Sequence, residues 1–233
     1  KNEESFYQQT SFITKDVLCQ AFLEFNEDLG IWEFDEGFPI NEFENVVNKP
    51  TKVSLTADNK QMYFSYLDKA SDKYQIYCSH SVGGVWSKPE NIGNIVNDAT
   101  ANLVDPFITA DGNTLYFSSD KKGGQGGYDI WVTHKSKNSS WLKPTNLGKR
   151  INTPRNETSP YLHADNNSFY FSSNGWKGFG DMDLFYLDLN NITMKQPLNI
   201  GQEINSEGNE SEIMLKKDGK TAERSEWNKD KKN

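Results

Sequence analysis

Acidic side chains gather around two glycine-rich segments of the chain, and their oxygens are the groups best suited to chemistry. The segments are residues 120–127, which contain GGQGG, and residues 174–181, which contain GWKGFG. The carboxylates beside them are Asp120, Asp129, Asp181 and Asp183. Oxygen donors of this kind suit calcium, and two carboxylates facing each other across a pocket suit glycoside hydrolysis. A calcium site and a hydrolase site are therefore the two chemical interpretations of this cluster.

The same aspartates also have a structural interpretation, which the sequence favours. Asp129 and Asp183 stand at equivalent places in two similar segments, as expected of a structural hydrogen bond that both segments share. The regular ladder of ligands that defines an EF-hand is absent from the sequence. We therefore predict no catalytic residue, no cofactor and no metal. If a metal were bound, its candidate ligands would be Asp120, Asp129 and Asp183.

Two glutamates form a second acidic pair, Glu157 in NETSP and Glu210 in NESEI. As part of an acidic ring near the mouth of a channel, they would attract a cation or a basic peptide. Alternatively, the same side chain caps turn amides in each copy of a repeat. The sequence favours capping, and it leaves both glutamates as candidate contacts for a partner.

The glycines of the two segments do not form a phosphate-binding loop, because no Lys-Ser/Thr pair and no helix follow them. We interpret them as turn residues with positive φ. Trp176 and Phe179 lie in the second segment. Large aromatic side chains in a loop commonly anchor an interface, although they also fold back onto the domain. Together with Glu157, Asp181 and Glu210, these aromatic residues make up the predicted partner-binding set.

Other catalytic patterns are missing from the sequence. No Gly-x-Ser-x-Gly elbow is present to support a serine hydrolase. Sialidase sites contain three clustered arginines that bind a carboxylate. In this chain Arg150 and Arg155 share one connection and Arg224 lies near the end, so a sialidase site is not favoured. His80 and His134 recur at equivalent places, which favours a structural role.

The chain repeats itself, and the repeat must position all of these residues. In each copy an aspartate marks a turn between a short apolar run and an aromatic strand, as in ITADGNTLYF. These aspartates are Asp16, Asp58, Asp111, Asp165 and Asp218, at steps of 42, 53, 54 and 53 residues. Further markers keep the same phase: they are Pro89, Pro144 and Pro197, then Gly93, Gly148 and Gly201, then Asn97, Asn152 and Asn205. Several markers in one phase indicate a true repeat.

Each copy contains about four strands. In the third copy we predict strands at 107–109, 114–119 and 128–134, and a fourth at 140–143 that starts with Trp141. A repeat of about 50 residues with four strands is typical of a β-propeller blade. The predicted fold is therefore all-β: a β-propeller of four-stranded antiparallel blades, with four complete blades and a partial fifth.

The repeat also sets the predicted boundaries. Residues 1–10 are a polar, flexible lead-in, residues 11–222 form the propeller, and residues 223–233 form a charged tail without a strand pattern. The predicted blades span about 11–41, 50–97, 106–152 and 160–205, with a partial blade at 212–222. The innermost strand of this partial blade either closes a small ring or belongs to a propeller that continues beyond this sequence.

Composition excludes several classes of partner. The net charge is −8, which argues against binding to a nucleic-acid backbone. No run of 18 apolar residues is present, so we predict no membrane-spanning helix. Cys19 and Cys78 lie on predicted strands of different copies, and buried free thiols are favoured over a disulfide. The chain begins at Lys1 rather than Met, which agrees with a removed leader or a fragment, and a lipid anchor before Lys1 is compatible with this start.

The third copy resembles a known family. Its unit ITADGNTLYFSS-x4-GxGGYDIW, followed by W-x-x-P-x-NLG-x-x-IN, is similar to the TolB-type β-propeller repeat. It is most similar to the version found in envelope proteins of Bacteroidetes, often beside an OmpA-like peptidoglycan-binding domain. The resemblance covers about residues 40–215. It implies a periplasmic or outer-membrane-associated scaffold that binds other proteins.

Topology then places a candidate binding face. In an up-and-down blade, the loop between the second and third strands emerges at the same end as the connection to the next blade. The glycine-rich segments and the connections 97–106, 152–160 and 205–211 should therefore crowd one end of the propeller. We predict a non-catalytic envelope propeller that binds a protein or peptidoglycan-associated partner at this end. The alternative is a carbohydrate-active propeller, either a glycoside hydrolase or a sugar-binding module.

Overall fold

The computed structural model describes residues 7–14, 17–26, 31–34, 38–39, 52–83, 85–215 and 222–227. Within these ranges the regular elements are all β-strands, as the sequence predicts, and none of the residues lies in a helix long and apolar enough to cross a membrane. Side chains are described for residues 52–83, 87–211 and 213. The turns predicted at Asp16 and Asp218 lie outside the described residues.

The strands form five antiparallel sheets, numbered here in chain order. Sheet 1 contains β1 (Tyr7–Thr14), β2 (Val17–Asn26), β3 (Ile31–Phe34) and β4 (Phe38–Pro39). Sheet 2 contains β5 (Val53–Leu55), β6 (Gln61–Asp68), β7 (Lys73–Val82), β8 (Val85–Trp86) and β9 (Glu90–Asn91). Sheet 3 contains β10 (Leu103–Ile108), β11 (Thr114–Ser119), β12 (Asp129–His134) and β13 (Thr145–Asn146). Sheet 4 contains β14 (Glu157–Leu162), β15 (Ser168–Ser173), β16 (Asp183–Asp188) and β17 (Leu198–Asn199), and sheet 5 contains β18 (Asn209–Leu215) and β19 (Ala222–Trp227).

Sheets 3 and 4 share one topology, in which each strand pairs with its neighbours in sequence order. Both have an irregularity between their first two strands, at Val104/Phe107 in sheet 3 and at Thr158/Tyr161 in sheet 4. Sheet 2 follows the same order, except that two short strands, β8 and β9, both pair with β7. The up-and-down order of a four-stranded antiparallel sheet is therefore confirmed for sheets 3 and 4.

The second strand of sheet 3 shows why such sheets pack against one another. Leu115 and Phe117 point to one side of β11, and both are fully buried in a cluster with Tyr63 and Cys78 of sheet 2. Tyr116 points to the other side, as alternation along a strand requires, and joins a second cluster with sheet 4. Sheet 3 therefore buries both faces.

Two apolar clusters connect the three central sheets. The first cluster lies between sheets 2 and 3 and includes Ile76, Leu103 and Trp131. The second cluster lies between sheets 3 and 4, where Tyr116 approaches Phe169 with ring centroids 5.2 Å apart. Antiparallel sheets stacked face to face in sequence order are the arrangement of successive propeller blades.

The fourth strand of a sheet starts later than the sequence predicts. The predicted strand at 140–143 contributes only a single bridge, between Trp141 and Lys135, and the paired strand is β13. Trp141 packs instead against Tyr63 of sheet 2, with ring centroids 6.0 Å apart. The prediction at 140–143 is wrong because this aromatic residue serves packing between sheets rather than strand pairing.

Strands also form at both ends of the chain, where the sequence shows no strand pattern. β1 begins at Tyr7, inside the segment interpreted as a flexible lead-in, and pairs with β2 along its full length. β19 occupies Ala222–Trp227, within the stretch interpreted as a charged tail, and pairs with β18. The partial fifth unit therefore contributes two strands, not one.

Candidate functional site

The two glycine-rich segments lie against the connections between sheets, as the topology predicts. The backbone N–H of Gly127 donates to the carbonyl of Arg155 at 2.8 Å, and the N–H of Asn174 donates to the carbonyl of Asn156 at 3.2 Å. We call residues 120–127 the first glycine loop and residues 174–181 the second glycine loop. Together with connections 97–102, 152–156 and 205–209, they form the loop end of the molecule.

A repeated asparagine fixes the base of each connection. The side chain of Asn152 accepts a hydrogen bond from the N–H of Ile130 at 2.8 Å and donates to the carbonyl of the same residue at 2.9 Å. It also donates to Asn146 at 3.0 Å. An amide side chain thus takes the place that a residue of a neighbouring strand would occupy. We call this the asparagine lock, and its equivalents are Asn97 with Ile76 and Asn205 with Leu184, at 2.8 to 2.9 Å.

Close approach, rather than positive φ, explains most glycines of the two glycine loops. Only Gly123 among them has a positive φ, so the interpretation of these glycines as positive-φ turn residues is wrong. A Cβ atom on Gly124 would lie 1.8 Å from Oδ2 of Asp129, and one on Gly178 would lie 1.9 Å from Oδ2 of Asp183. The loops therefore need glycine because their backbone passes directly over a buried carboxylate.

Asp129 and Asp183 hold the glycine loops from below. Both side chains are 1% exposed. Asp183 accepts the N–H of Phe179 at 3.0 Å on each of its oxygens and the N–H of Gly180 at 3.1 Å. Asp129 accepts the N–H of Gln125 in the first glycine loop. The two aspartates therefore make the same kind of structural hydrogen bond in two successive sheets.

Glu157 and Glu210 are also buried, with no exposed surface. The carboxylate of Glu157 accepts hydrogen bonds from the backbone N–H and the hydroxyl of Thr153, both at 2.7 Å, and from the hydroxyl of Ser173 at 2.7 Å. Glu210 accepts from the hydroxyl of Ser206 at 2.5 Å. These contacts are the capping that the sequence favours. Neither glutamate can therefore meet a partner at the surface.

The two aromatic residues of the second glycine loop have different environments. Trp176 is half-buried, packs against the apolar cluster between sheets 3 and 4, and donates its indole N–H to the carbonyl of Ile151 at 2.8 Å. Phe179 is 45% exposed. Of the predicted anchors, Trp176 thus folds back onto the domain, and Phe179 remains available at the surface.

Asp120 and Asp181 are the two acidic candidates that remain exposed at the loop end. The carboxylate of Asp120 is already hydrogen-bonded: it accepts the backbone N–H of Asn102 at 2.7 Å and the side-chain amide of Asn102 at 3.0 Å. In the part of the chain that the structure describes, no three His, Cys, Asp or Glu side chains are grouped in a way that could hold a metal ion. The topology therefore brings the predicted carboxylates to one end of the molecule.

Charged residues flank Phe179, and the sequence analysis had singled out only one of them, Asp181. Lys177 and Asp181 flank it in the second glycine loop, and all three side chains are exposed. Gly180 approaches the connection that contains the exposed Glu207, since a Cβ atom on Gly180 would lie 2.1 Å from the carbonyl oxygen of Gly208. Glu207 has no equivalent in the repeat markers, so only the fold reveals its position beside Phe179.

Cys78 and the histidine near it do not form a reactive pair. Cys78 is a free thiol in the cluster between sheets 2 and 3, and its Sγ lies 3.7 Å from Nε2 of His80. Burial raises the pKa of this thiol to about 11, which keeps it protonated at neutral pH. The side chain of Cys19 lies outside the described residues.

Comparison with known proteins yields matches of fold only. No protein-family model matches the chain, and no curated protein matches its sequence. A GH32 beta-fructofuranosidase from Bombyx mori is 13% identical, with a TM-score of 0.57, over 94% of this chain and 51% of that one. The hydrazine synthase of Kuenenia stuttgartiensis is 11% identical, with a TM-score of 0.50, over 91% of this chain and 34% of that one. TolB from Acinetobacter baumannii is 16% identical, with a TM-score of 0.46, over 79% of this chain and 39% of that one.

The repeated sheets, packed face to face, define a fold of the β-propeller type. The chain spans about half of the beta-fructofuranosidase and about two fifths of TolB. At identities this low, a shared fold carries no information about activity, because propellers support many unrelated functions.

Proposed function

We propose that this chain is a non-catalytic β-propeller module of the cell envelope, and that its loop end binds a protein or a peptidoglycan-associated partner. The observation that carries the proposal is the position of Phe179. This side chain is 45% exposed, although the N–H of the same residue is held by both oxygens of the buried Asp183. The loop end thus presents a large apolar side chain from a fixed backbone.

A fixed backbone favours binding because little conformational entropy is lost when the partner arrives. The second glycine loop is held at three points: at its start by Ser173, in its middle by the Trp176 indole, and at its end by Asp183. Aromatic residues that are held in this way commonly dominate the binding energy of an interface. Phe179 is therefore the proposed anchor.

Charges around the anchor indicate the character of the partner. Asp181 and Glu207 are exposed beside Phe179, and Lys177 is the exposed cation of the same loop. Two carboxylates against one ammonium favour a partner surface that has an apolar pocket with basic groups at its rim. The sequence assigned this acidic selection to Glu157, Asp181 and Glu210. Because the two glutamates are buried, we assign it to Asp181 and Glu207.

The buried state of the carboxylates supports binding rather than catalysis. A glycoside hydrolase needs two carboxyl groups that both reach the sugar across a pocket. Asp129, Glu157, Asp183 and Glu210 are each at most 1% exposed. They also hold loop amides or hydroxyls. The carbohydrate-active alternative would have to use Asp120 and Asp181, of which Asp120 is already bonded to Asn102.

The location in the envelope is supported by the sequence resemblance of the third and fourth copies to TolB-type repeats of Bacteroidetes envelope proteins. The OmpA-associated context, the lipid anchor, the number of blades and the closure of the ring belong to the same proposal. Four complete blades and a partial fifth, which now has two strands, remain the proposed architecture.

The test is an affinity capture from an envelope extract with the wild-type chain and with Phe179→Ala. We expect the loss of at least one protein that the wild type recovers, with an apparent affinity reduced by roughly tenfold to a hundredfold, as for truncation of an interface anchor. Asp181→Lys should weaken the same complex, and added salt should weaken it further.

Ile192→Ala is the matched control. Ile192 is 77% exposed and lies between β16 and β17, where the topology places it at the end opposite the glycine loops. Trp176→Ala is unsuitable because it removes core packing and a hydrogen bond. If Phe179→Ala and Ile192→Ala recover the partner equally well, the loop end is not the binding face.

A further inference from the structure

The carboxylate below the first glycine loop is only half satisfied. Oδ2 of Asp129 accepts the N–H of Gln125 and, at 3.1 Å, the side-chain amide of Asn146. Its other oxygen, Oδ1, is buried and receives no hydrogen bond from the described residues. A buried carboxylate oxygen without a donor raises the free energy of the ionised state. The ionised form of Asp129 therefore opposes the closed position of the loop above it.

No described cation neutralises Asp129 directly, and a second carboxylate lies near it. Glu157, on the strand that follows the neighbouring connection, is a second buried carboxylate within electrostatic reach. The ammonium of Lys121 lies instead over the ring of Trp131, 5.3 Å from its centroid. The other nearby cations face elsewhere: Lys122 is exposed and acts on Asp98, and Arg155 is exposed and donates to the carbonyl of Asn174.

The second glycine loop lacks this defect. Both oxygens of Asp183 accept a loop N–H, so neither is left without a donor. The two loops share the glycine that passes over the carboxylate, Gly124 in the first and Gly178 in the second. The molecule therefore contains two related loops whose buried carboxylates differ in their hydrogen bonding.

We propose that the first glycine loop is a proton-operated latch: it is closed most firmly when Asp129 is protonated, and ionisation of Asp129 raises the population of an open loop. Opening of the loop allows water to donate a hydrogen bond to Oδ1 of Asp129. The second glycine loop stays closed over the same pH range.

The sign of the effect follows from proton linkage. Burial raises the pKa of Asp129 in the closed loop above its usual value of 3.8, in spite of the hydrogen bonds from Gln125, Asn146 and the backbone of Gly126. In an open loop the solvated carboxyl returns to its usual pKa. The closed form binds the proton more tightly, so acid favours closure and rising pH favours opening. Between the two pKa values, the opening equilibrium constant should rise about tenfold for each pH unit and then level off.

The test is amide hydrogen exchange of the uniformly labelled chain from pH 4 to pH 8, with each rate divided by the intrinsic rate at that pH. We expect the protection of the Gln125 amide to fall as the pH rises and then to reach a plateau. The amides of Phe179 and Gly180, held by Asp183, should show no such trend. In parallel, the carboxyl carbon shift of Asp129 should titrate at a midpoint above the usual value of 3.8.

Asp129→Asn provides the second arm, because the amide keeps the shape of the side chain and carries no charge at any pH. Protection at Gln125 should then become independent of pH. The proposal is overturned if Gln125 protection in the wild type does not change with pH, or if the trend persists in Asp129→Asn. If that variant does not fold, the wild type alone still tests the proposal. The latch is overturned if the protection of the Phe179 amide falls with rising pH in the same way as that of the Gln125 amide. None of these outcomes depends on the proposed partner.

Discussion

At the residue scale, asparagine side chains in this protein make hydrogen bonds to strand backbone that a neighbouring strand would otherwise make. The asparagine lock pairs with strand residues that are 21 or 22 positions away in sequence, and all three locking asparagines are buried. The regular spacing of Asn97, Asn152 and Asn205 was visible in the sequence, but its purpose was not. A side chain that bonds a backbone 21 residues away leaves no local pattern, so only the fold reveals what the spacing means.

Asn152→Ala should be strongly destabilising. The change removes the acceptor for the N–H of Ile130, a buried group with no exposed surface on its residue. We expect a loss of about 2–3 kcal/mol in the free energy of unfolding, the usual cost of a buried donor without a partner together with the lost amide contacts. Urea denaturation of the wild type and Asn152→Ala measures this loss.

Asn138→Ala is the matched control for this prediction. Asn138 lies in an exposed turn, and its replacement should change the free energy of unfolding by less than about 0.5 kcal/mol. Equal effects of the two substitutions would show that the lock contributes nothing to stability.

At the element scale, the sequence predicted the inner strands better than the outer ones. The predicted strand at 114–119 coincides with β11, and the Asp-Gly turn before it is formed with Gly112 at a φ of +70°. These elements follow from local aromatic and turn chemistry. The outer strands are only two residues long in sheets 3 and 4. β19, with the sequence AERSEW, forms through backbone pairing with β18. Neither case has a side-chain pattern to detect.

An arginine clip between neighbouring units offers a test at this scale. The guanidinium of Arg150, in the connection after sheet 3, donates to four carbonyls at the end of β16 and in the segment that follows it. The acceptors are Asp188, Leu189, Asn191 and Met194, at 2.7 to 3.3 Å. Ile95 holds the equivalent place after sheet 2 and is 60% exposed. The clip is therefore a specific addition to one blade rather than part of the repeat.

Arg150→Lys should loosen this segment even though the charge is retained, because an ammonium cannot span four carbonyls as a guanidinium does. We expect hydrogen exchange of amides 189–194 to rise roughly tenfold, together with a loss of about 1–2 kcal/mol in unfolding free energy. Lys149→Ala, at the exposed neighbouring position, should leave both quantities unchanged. Unaltered exchange in Arg150→Lys would contradict the clip.

At the scale of the whole molecule, buried carboxylates link stability to pH. Glu157 has no exposed surface, and burial is the main cause that raises its pKa above the usual 4.5, with the charge of Asp129 adding to it. A group whose pKa is raised on folding binds a proton more readily in the folded state. Its stabilising contribution is therefore complete below pH 4.5 and is lost as the pH rises through the raised pKa.

We expect the unfolding free energy of the wild type to fall as the pH rises above 4.5, by an amount set by this shift, about 1.4 kcal/mol for each unit of pKa difference. Glu157→Gln should be less stable overall, because an amide cannot accept all three hydrogen bonds, but its pH dependence should be flatter. Urea denaturation at a series of pH values measures both. Glu203→Gln, at an exposed site, should retain the wild-type slope, and an equally steep slope in Glu157→Gln would refute the assignment.

The sequence predicted the architecture of the central sheets because each copy of the repeat contains easily recognised features: a turn aspartate, an aromatic strand and a glycine loop. It did not separate surface groups from buried ones within those signals. Glu157 and Phe179 were both candidates for contact with a partner, yet one has no exposed surface and the other is 45% exposed. That difference arises from packing between neighbouring sheets, which no single repeat encodes.

The asparagine lock has an evolutionary consequence for the outer rim of each blade. The lock and the third strand hold the two ends of the rim segment, so the chain between them can differ from sheet to sheet. Sheet 3 carries a rim at 135–144 with Trp141 packed on Tyr63, whereas sheet 4 has an unrelated rim at 189–197 that Arg150 clips. Insertions that leave these contacts in place should leave the sheet intact, which makes the rims the positions where the fold can best accept added sequence.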